Sequence, residues 1–187
     1  MTNSNKITYG ILLLASAGYL MLRRRQQSAI YNPQYDMNTN PNLPRGYRNN
    51  NPLNIRFSER NNWLGKILPN TDGAFEQFCD LVYGYRAALY LIRKYIRNGE
   101  NTISRIIQKW APPTENYTQS YIEHVVAFVR ELGVPNITAT TVISPNDAEL
   151  LQKIAYAMSI VENGTTAATQ EAGLPDMNII KEAWSKL

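Results

Sequence analysis

The two residue types that build most catalytic metal sites are nearly missing from this chain, whose 187 residues include one cysteine, Cys79, and one histidine, His124. A lone cysteine can neither close an internal disulfide nor form a cysteine zinc site, so Cys79 reads as a small buried hydrophobe. A lone histidine cannot hold a metal unaided, and the apolar helical run around His124 predicts a half-buried structural side chain. No metal and no cofactor are expected. Charge is also sparse, at 18% of residues against 44% apolar, which fits a folded body rather than a disordered chain. The net charge of +4 suits a polyanionic partner without choosing among nucleic acid, anionic lipid and cell-wall polymer. Because the lysines and arginines are scattered and no nucleic-acid motif occurs, no specific nucleic-acid partner is expected.

What is present begins with an apolar run, Ile7 to Leu22, preceded by Lys6 and followed at once by Arg23, Arg24 and Arg25. It is a little shorter than the ~20 residues that cross a bilayer, a difference that interfacial tyrosines and snorkelling arginines can make up. The competing reading is a signal peptide cleaved after Ala15-Ser16-Ala17. The run continues through Gly18 to Leu22 and the heavier positive cluster follows the core, which favours a single-pass anchor over residues 1–26. Residues 27–45, rich in Gln, Asn, Pro and Tyr, read as a flexible linker. A domain over residues 46–187 remains.

Within that domain the periodicity predicts a mainly α (α+β) body with one small β-hairpin. Asn49-Asn50-Asn51-Pro52 is a turn, since asparagine tolerates left-handed backbone. Trp63 to Ile67 and Ala74 to Phe78 form the hairpin's two short extended pieces, around a turn at Pro69 to Gly73. Helices follow, capped by Asp80, by Thr102 and, for the fourth, by Ser144 with Pro145 at its first position. A helix begins near Thr118, and a last one spans Asp176 to Ser185. Trp63, Trp110 and Trp184 read as core anchors.

Three segments carry a resemblance. They are Arg48 to Arg56 (RNNNPLNIR), then Trp63-Leu64-Gly65 with Phe75-Glu76-Gln77-Phe78, then Trp110 to Val125 (WAPPTENYTQSYIEHV). The first two resemble the NNLFGIK…WxG…FRxY succession of glucosaminidases. Glu115 to Val125 is similar to the ETxxYVxxV signature of lytic transglycosylases, and the whole resembles the lysozyme-like superfamily, in particular phage and prophage proteins with RNNNPxNIR and WAPPxEN motifs. About half of the chain is covered.

In those families the catalytic glutamate ends a helix lying before the asparagine motif, in a pattern like E-S-G, whereas no glutamate precedes Arg48 here. Such a pattern does occur later, where the apolar run Ile154 to Val161 ends in Glu162-Asn163-Gly164. The resemblance therefore implies a circularly permuted lysozyme-like domain, with Glu162 as the acid and Tyr121, matching the tyrosine of the YV pair, as its hydroxyl partner. Asn50, Asn51, Asn54 and Tyr117 become the expected sugar contacts. Glu76, Glu115 and Glu59 are the alternative acids.

Cleaving a β-1,4 glycosidic bond needs a carboxylic acid that stays protonated near neutral pH, and an apolar helix end in a cleft shifts a glutamate that way. The expected function is a peptidoglycan-degrading enzyme of lytic transglycosylase or muramidase type, anchored in a membrane or virion and used by a phage to penetrate the cell wall. Its partners would be glycan strands, the membrane and other virion proteins. The alternative is an inactive structural virion or membrane protein that keeps the fold and binds glycan or capsid proteins.

Overall fold

The computed structural model describes residues 40–113 and 117–187. The expected anchor, Ile7 to Leu22, and the alternative acid Glu115 lie outside the described residues, among which no helix is long and apolar enough to cross a membrane.

Among the described residues the chain is mainly helical. Its helices are α1 (Arg45–Arg48), α2 (Leu81–Arg97), α3 (Ile103–Trp110), α4 (Thr118–Glu131), α5 (Ala148–Asn163), α6 (Ala167–Glu171) and α7 (Met177–Ser185). Local capping explains most of the starts. Asp80 accepts from the Val82 amide, Thr102 from Arg105 and Asp176 from Asn178, each satisfying an otherwise unpaired first-turn N–H. The fourth predicted helix starts later than the sequence suggests. It is capped by Asp147, which accepts from the Leu150 amide, and Ser144 to Asn146 form a turn before it.

The anticipated hairpin is smaller than expected, consisting of two isolated antiparallel bridges, Arg56 with Phe75 and Lys66 with Phe78. Residues 74–79 lie extended between two neighbours. Phe57 N–H donates to Ala74 O and Glu76 N–H to Ile55 O on one side, while Ile67 N–H donates to Gln77 O and Cys79 N–H to Gly65 O on the other.

Among the described residues, contacts with the domain already occur within the expected linker, residues 27–45. Leu43 is buried, and the Arg45 guanidinium grips Asp72 through two hydrogen bonds of 2.8 and 2.6 Å.

Helix α5 is the hub, touching α1, α2, α4 and α7. Leu151, Ile154, Ala155, Ala157 and Met158 are fully withdrawn from solvent along it. Tyr85 of α2 donates to Ser159 Oγ of α5 at 3.0 Å, a polar contact buried between the two helices. Glycine sets how closely the asparagine loop can approach: a Cβ on Gly84 would sit 2.0 Å from the Asn50 carbonyl oxygen, so α2 rests directly on that backbone.

Two single-residue expectations are corrected. Cys79 is exposed, because its amide serves the extended segment's edge while the chain turns out toward the Asp80 cap. His124 is exposed too, lying on the outer face of α4 with its Nδ1 beside Ser120 O at 2.7 Å, while Val125 and Val126 face the core.

Candidate active site

The last turn of α5 brings Glu162 into a groove of about 290 Å³, lined also by Asn54, Arg56, Phe75, Leu91, Tyr95 and Trp110. Three donors converge on its carboxyl group. The Tyr121 hydroxyl donates to Oε1 at 2.8 Å, the Trp110 indole Nε1–H to the same oxygen at 3.2 Å, and the Asn54 amide Nδ2 to Oε2 at 2.9 Å. Each comes from a different element: Asn54 from the asparagine loop, Trp110 from the end of α3 and Tyr121 from the first turn of α4.

The loop presents Asn54 because both Asn50 and Asn54 adopt left-handed backbone, with φ of 50°. Asn163, next to the acid, ties the end of α5 to that loop by donating to Pro52 O at 2.7 Å and to Ser159 O at 2.9 Å. Gly46 of α1 leaves room for this junction, since a Cβ there would lie 2.3 Å from Asn163 Oδ1 and 2.9 Å from Asn54 Oδ1. Gly164, at φ 69°, then closes the helix in the left-handed region.

Burial pushes the Glu162 carboxyl above its ordinary pKa, and the hydrogen bonds from Asn54, Tyr121 and Trp110 pull the other way without cancelling it. Burial, and then the neighbouring Glu162, keep the Tyr121 phenol well above the usual value, so it stays a donor at neutral pH. With two donors on Oε1 and one on Oε2, Oε2 is the oxygen with more room to carry a proton.

Glu162, Tyr121 and Asn54 are thus brought together. Asn50, Asn51 and Tyr117 are not. Asn50 is buried and donates to Phe78 O at 3.0 Å. Asn51 is buried and knits the loop, donating to Ile55 O and Glu76 O and accepting from the Ile55 amide. Both side-chain NH2 groups serve buried backbone carbonyls that have no water to turn to, which is turn chemistry rather than sugar contact. Tyr117, 93% exposed, precedes α4 and lines a separate concavity of about 570 Å³ with Gln108 and Pro113. Among the described residues that concavity is larger than the groove holding Glu162.

The other acids are occupied elsewhere. Glu76 is fully buried and paired at 3.0 Å with Lys66, whose ammonium also donates to Ser58 O and Asn61 O. Glu59 is exposed. Trp110 is the residue that sequence reasoning missed. Its signal was its position as the last residue of an amphipathic helix, immediately before Pro112-Pro113, where a side chain faces a cleft as readily as a core.

No family model matches the chain. It is similar to protein P5 of Pseudoalteromonas phage PM2, with 35% identity over 130 residues, covering 68% of this chain and 76% of that protein.

Proposed function

Because the chain belongs to the family of protein P5 of Pseudoalteromonas phage PM2, we propose that it is a phage protein that cleaves the β-1,4 glycan strands of peptidoglycan, the barrier a phage must open in its host. The proposal includes a circularly permuted lysozyme-like domain, an N-terminal membrane segment and residence in the virion. The observation that carries it is the raised, three-donor Glu162 carboxyl in an open groove, held by Tyr121 and Asn54 from the two segments whose motifs resemble glycan-cleaving enzymes.

The chemistry follows from that carboxyl. Oε2 gives its proton to the glycosidic oxygen as the C1–O bond breaks, and the positive charge developing at C1 faces the new carboxylate. As ionisation proceeds, the donors from Tyr121, Trp110 and Asn54 strengthen, so the site stabilises the charge it creates. Among the described residues lining the groove, Glu162 is the only acid. A hydrolase of the usual design would add a second carboxylate some 5–10 Å away to activate water. The arrangement therefore favours an intramolecular route. The C6 hydroxyl of the muramoyl sugar attacks C1, its proton returns to Glu162, and a 1,6-anhydro sugar is released with no water consumed.

The test is digestion of purified peptidoglycan with the full-length chain, followed by mass spectrometry of the released fragments. Anhydro-muramoyl ends are expected, and reducing ends would indicate a muramidase instead. Glu162→Gln keeps shape but has no transferable proton, so the rate should fall by at least ~10²-fold. A wild-type chain that binds strands without cutting them would establish the structural alternative.

A further inference from the structure

Leu91 forms part of the wall of the groove at Glu162. The same residue lines a second concavity of about 470 Å³, bounded by Arg60, Trp63, Arg86, Tyr90 and Lys94. Helix α2 supplies both walls. Leu91 and Tyr95 face the acid, while Arg86, Tyr90 and Lys94, spaced by four residues, form the adjoining stripe.

Its chemistry is one-signed. Three cations line it with no acidic side chain, and among the described residues none of the three forms an ion pair. Arg86 is held in place by donating Nε–H to Lys186 O at 2.8 Å, which leaves its terminal amino groups for a ligand. Between the cations stand two aromatic rings. Trp63 and Tyr90 pack edge to face, 5.8 Å between centroids, and Tyr90 is 48% exposed. The exposed Tyr90 ring, with the half-buried Trp63 beside it, offers an apolar face to sugar C–H surfaces, and guanidinium and ammonium groups outside ion pairs select carboxylates.

We propose that this second concavity is a subsite for a peptide-bearing sugar of the same strand, in which the aromatic pair holds the saccharide and Arg60, Arg86 and Lys94 hold the carboxylates of its stem peptide. The assignment rests on the glycan-strand reading of the Glu162 groove and adds to it a preference for strands that still carry their peptides. A strand stripped of its peptides keeps only one lactyl carboxylate on each muramoyl sugar, too few to partner three cations, so the preference follows from charge complementarity.

The experiment measures binding, by fluorescence anisotropy of end-labelled strands, to the full-length chain in the Glu162→Gln background so that the ligand survives. Two ligands of equal sugar length are compared, one with intact stem peptides and one stripped of them by an amidase. The peptide-bearing strand should bind roughly tenfold more tightly at low salt, with the margin shrinking as ionic strength rises. In Arg60→Gln/Lys94→Gln, two exposed positions whose change the fold tolerates, the ratio of the two affinities should fall toward one. A ratio already near one, a ratio that survives the double substitution, or displacement of the labelled strand by single-stranded DNA of equal charge would each overturn the subsite. Preferential binding by a chain that never cuts would refute the proposed reaction and leave this assignment standing. Cutting without preference would refute only the assignment.

Discussion

Every hydrogen bond to Glu162 is a donor bond that favours the carboxylate, so it is burial, the larger effect, that fixes the sign of its pH behaviour. Burial holds the proton on the folded carboxyl more tightly than in the unfolded chain, and the three donors oppose it. Stability from this group is therefore fully present below the ordinary glutamate range and is lost as pH rises through the elevated native pKa. Glu162→Gln escapes that loss. Its melting temperature relative to wild type should climb between acid and neutral pH in paired thermal melts, and a constant difference would refute the raised pKa. Activity should show an alkaline limb above the ordinary glutamate pKa of ~4.3. Tyr121→Phe removes a donor that favours the carboxylate, so that limb should move to still higher pH even as the rate falls. A pH–rate profile with the limb unmoved would mean that Tyr121 serves packing alone.

At the level of elements, α2 and the asparagine loop position the acid's surroundings, and their contact has no slack. Alanine is the better helix former, yet Gly84→Ala places a methyl group 2.0 Å from the Asn50 carbonyl. We expect overpacking to win, with a loss of about 1–3 kcal/mol in chemical denaturation. Glu76→Gln offers the complementary control. Breaking the buried pair with Lys66 should cost roughly 3–5 kcal/mol, while cleavage per folded molecule changes little because Glu76 does not line the groove. If Glu76→Gln instead removed activity at full stability, Glu76 would displace Glu162 as the acid.

Over the whole molecule, the Arg45–Asp72 pair staples the start of α1 to the turn that precedes the extended segment. Burial alone would raise the Asp72 carboxyl, but Arg45, Asn49 and the amides of Phe75 and Ala74 outweigh it and hold it well below the usual carboxylate range. Its contribution is present above the unfolded value and is lost as pH falls through the native one. Asp72→Asn should therefore melt lower than wild type at neutral pH and converge with it in strong acid. Hydrogen exchange should be slowest in α2 and α5, whose inward faces are completely buried, and faster across residues 58–73, where only scattered backbone bonds hold the chain. Uniform protection across both regions would contradict α5 as the hub.

The helices whose caps are local side-chain bonds could be placed from sequence. Asp80, Thr102 and Asp176 each bond an amide two or three residues on, so a few neighbouring letters determine the outcome. Ser144 misled because Pro145 O, which a helix begun there would use internally, instead accepts from Arg93 Nε at 3.0 Å, a partner 52 residues away. The short α6 was invisible because Thr166 and Thr169 close its capping box without the usual glutamate. The asparagine loop was legible as a turn, but not which of its amides would be spent on backbone. That Asn54 alone reaches Glu162 depends on a contact spanning 108 residues. Sequence could nominate Glu162, Tyr121 and Asn54 because residue type and motif order carry chemistry. Only the packing of α3 against α2 and α4, which brings the indole N–H of its last residue to the Glu162 carboxylate, could add Trp110, because hydrogen bonds between distant elements are set by how whole faces pack and not by any local pattern.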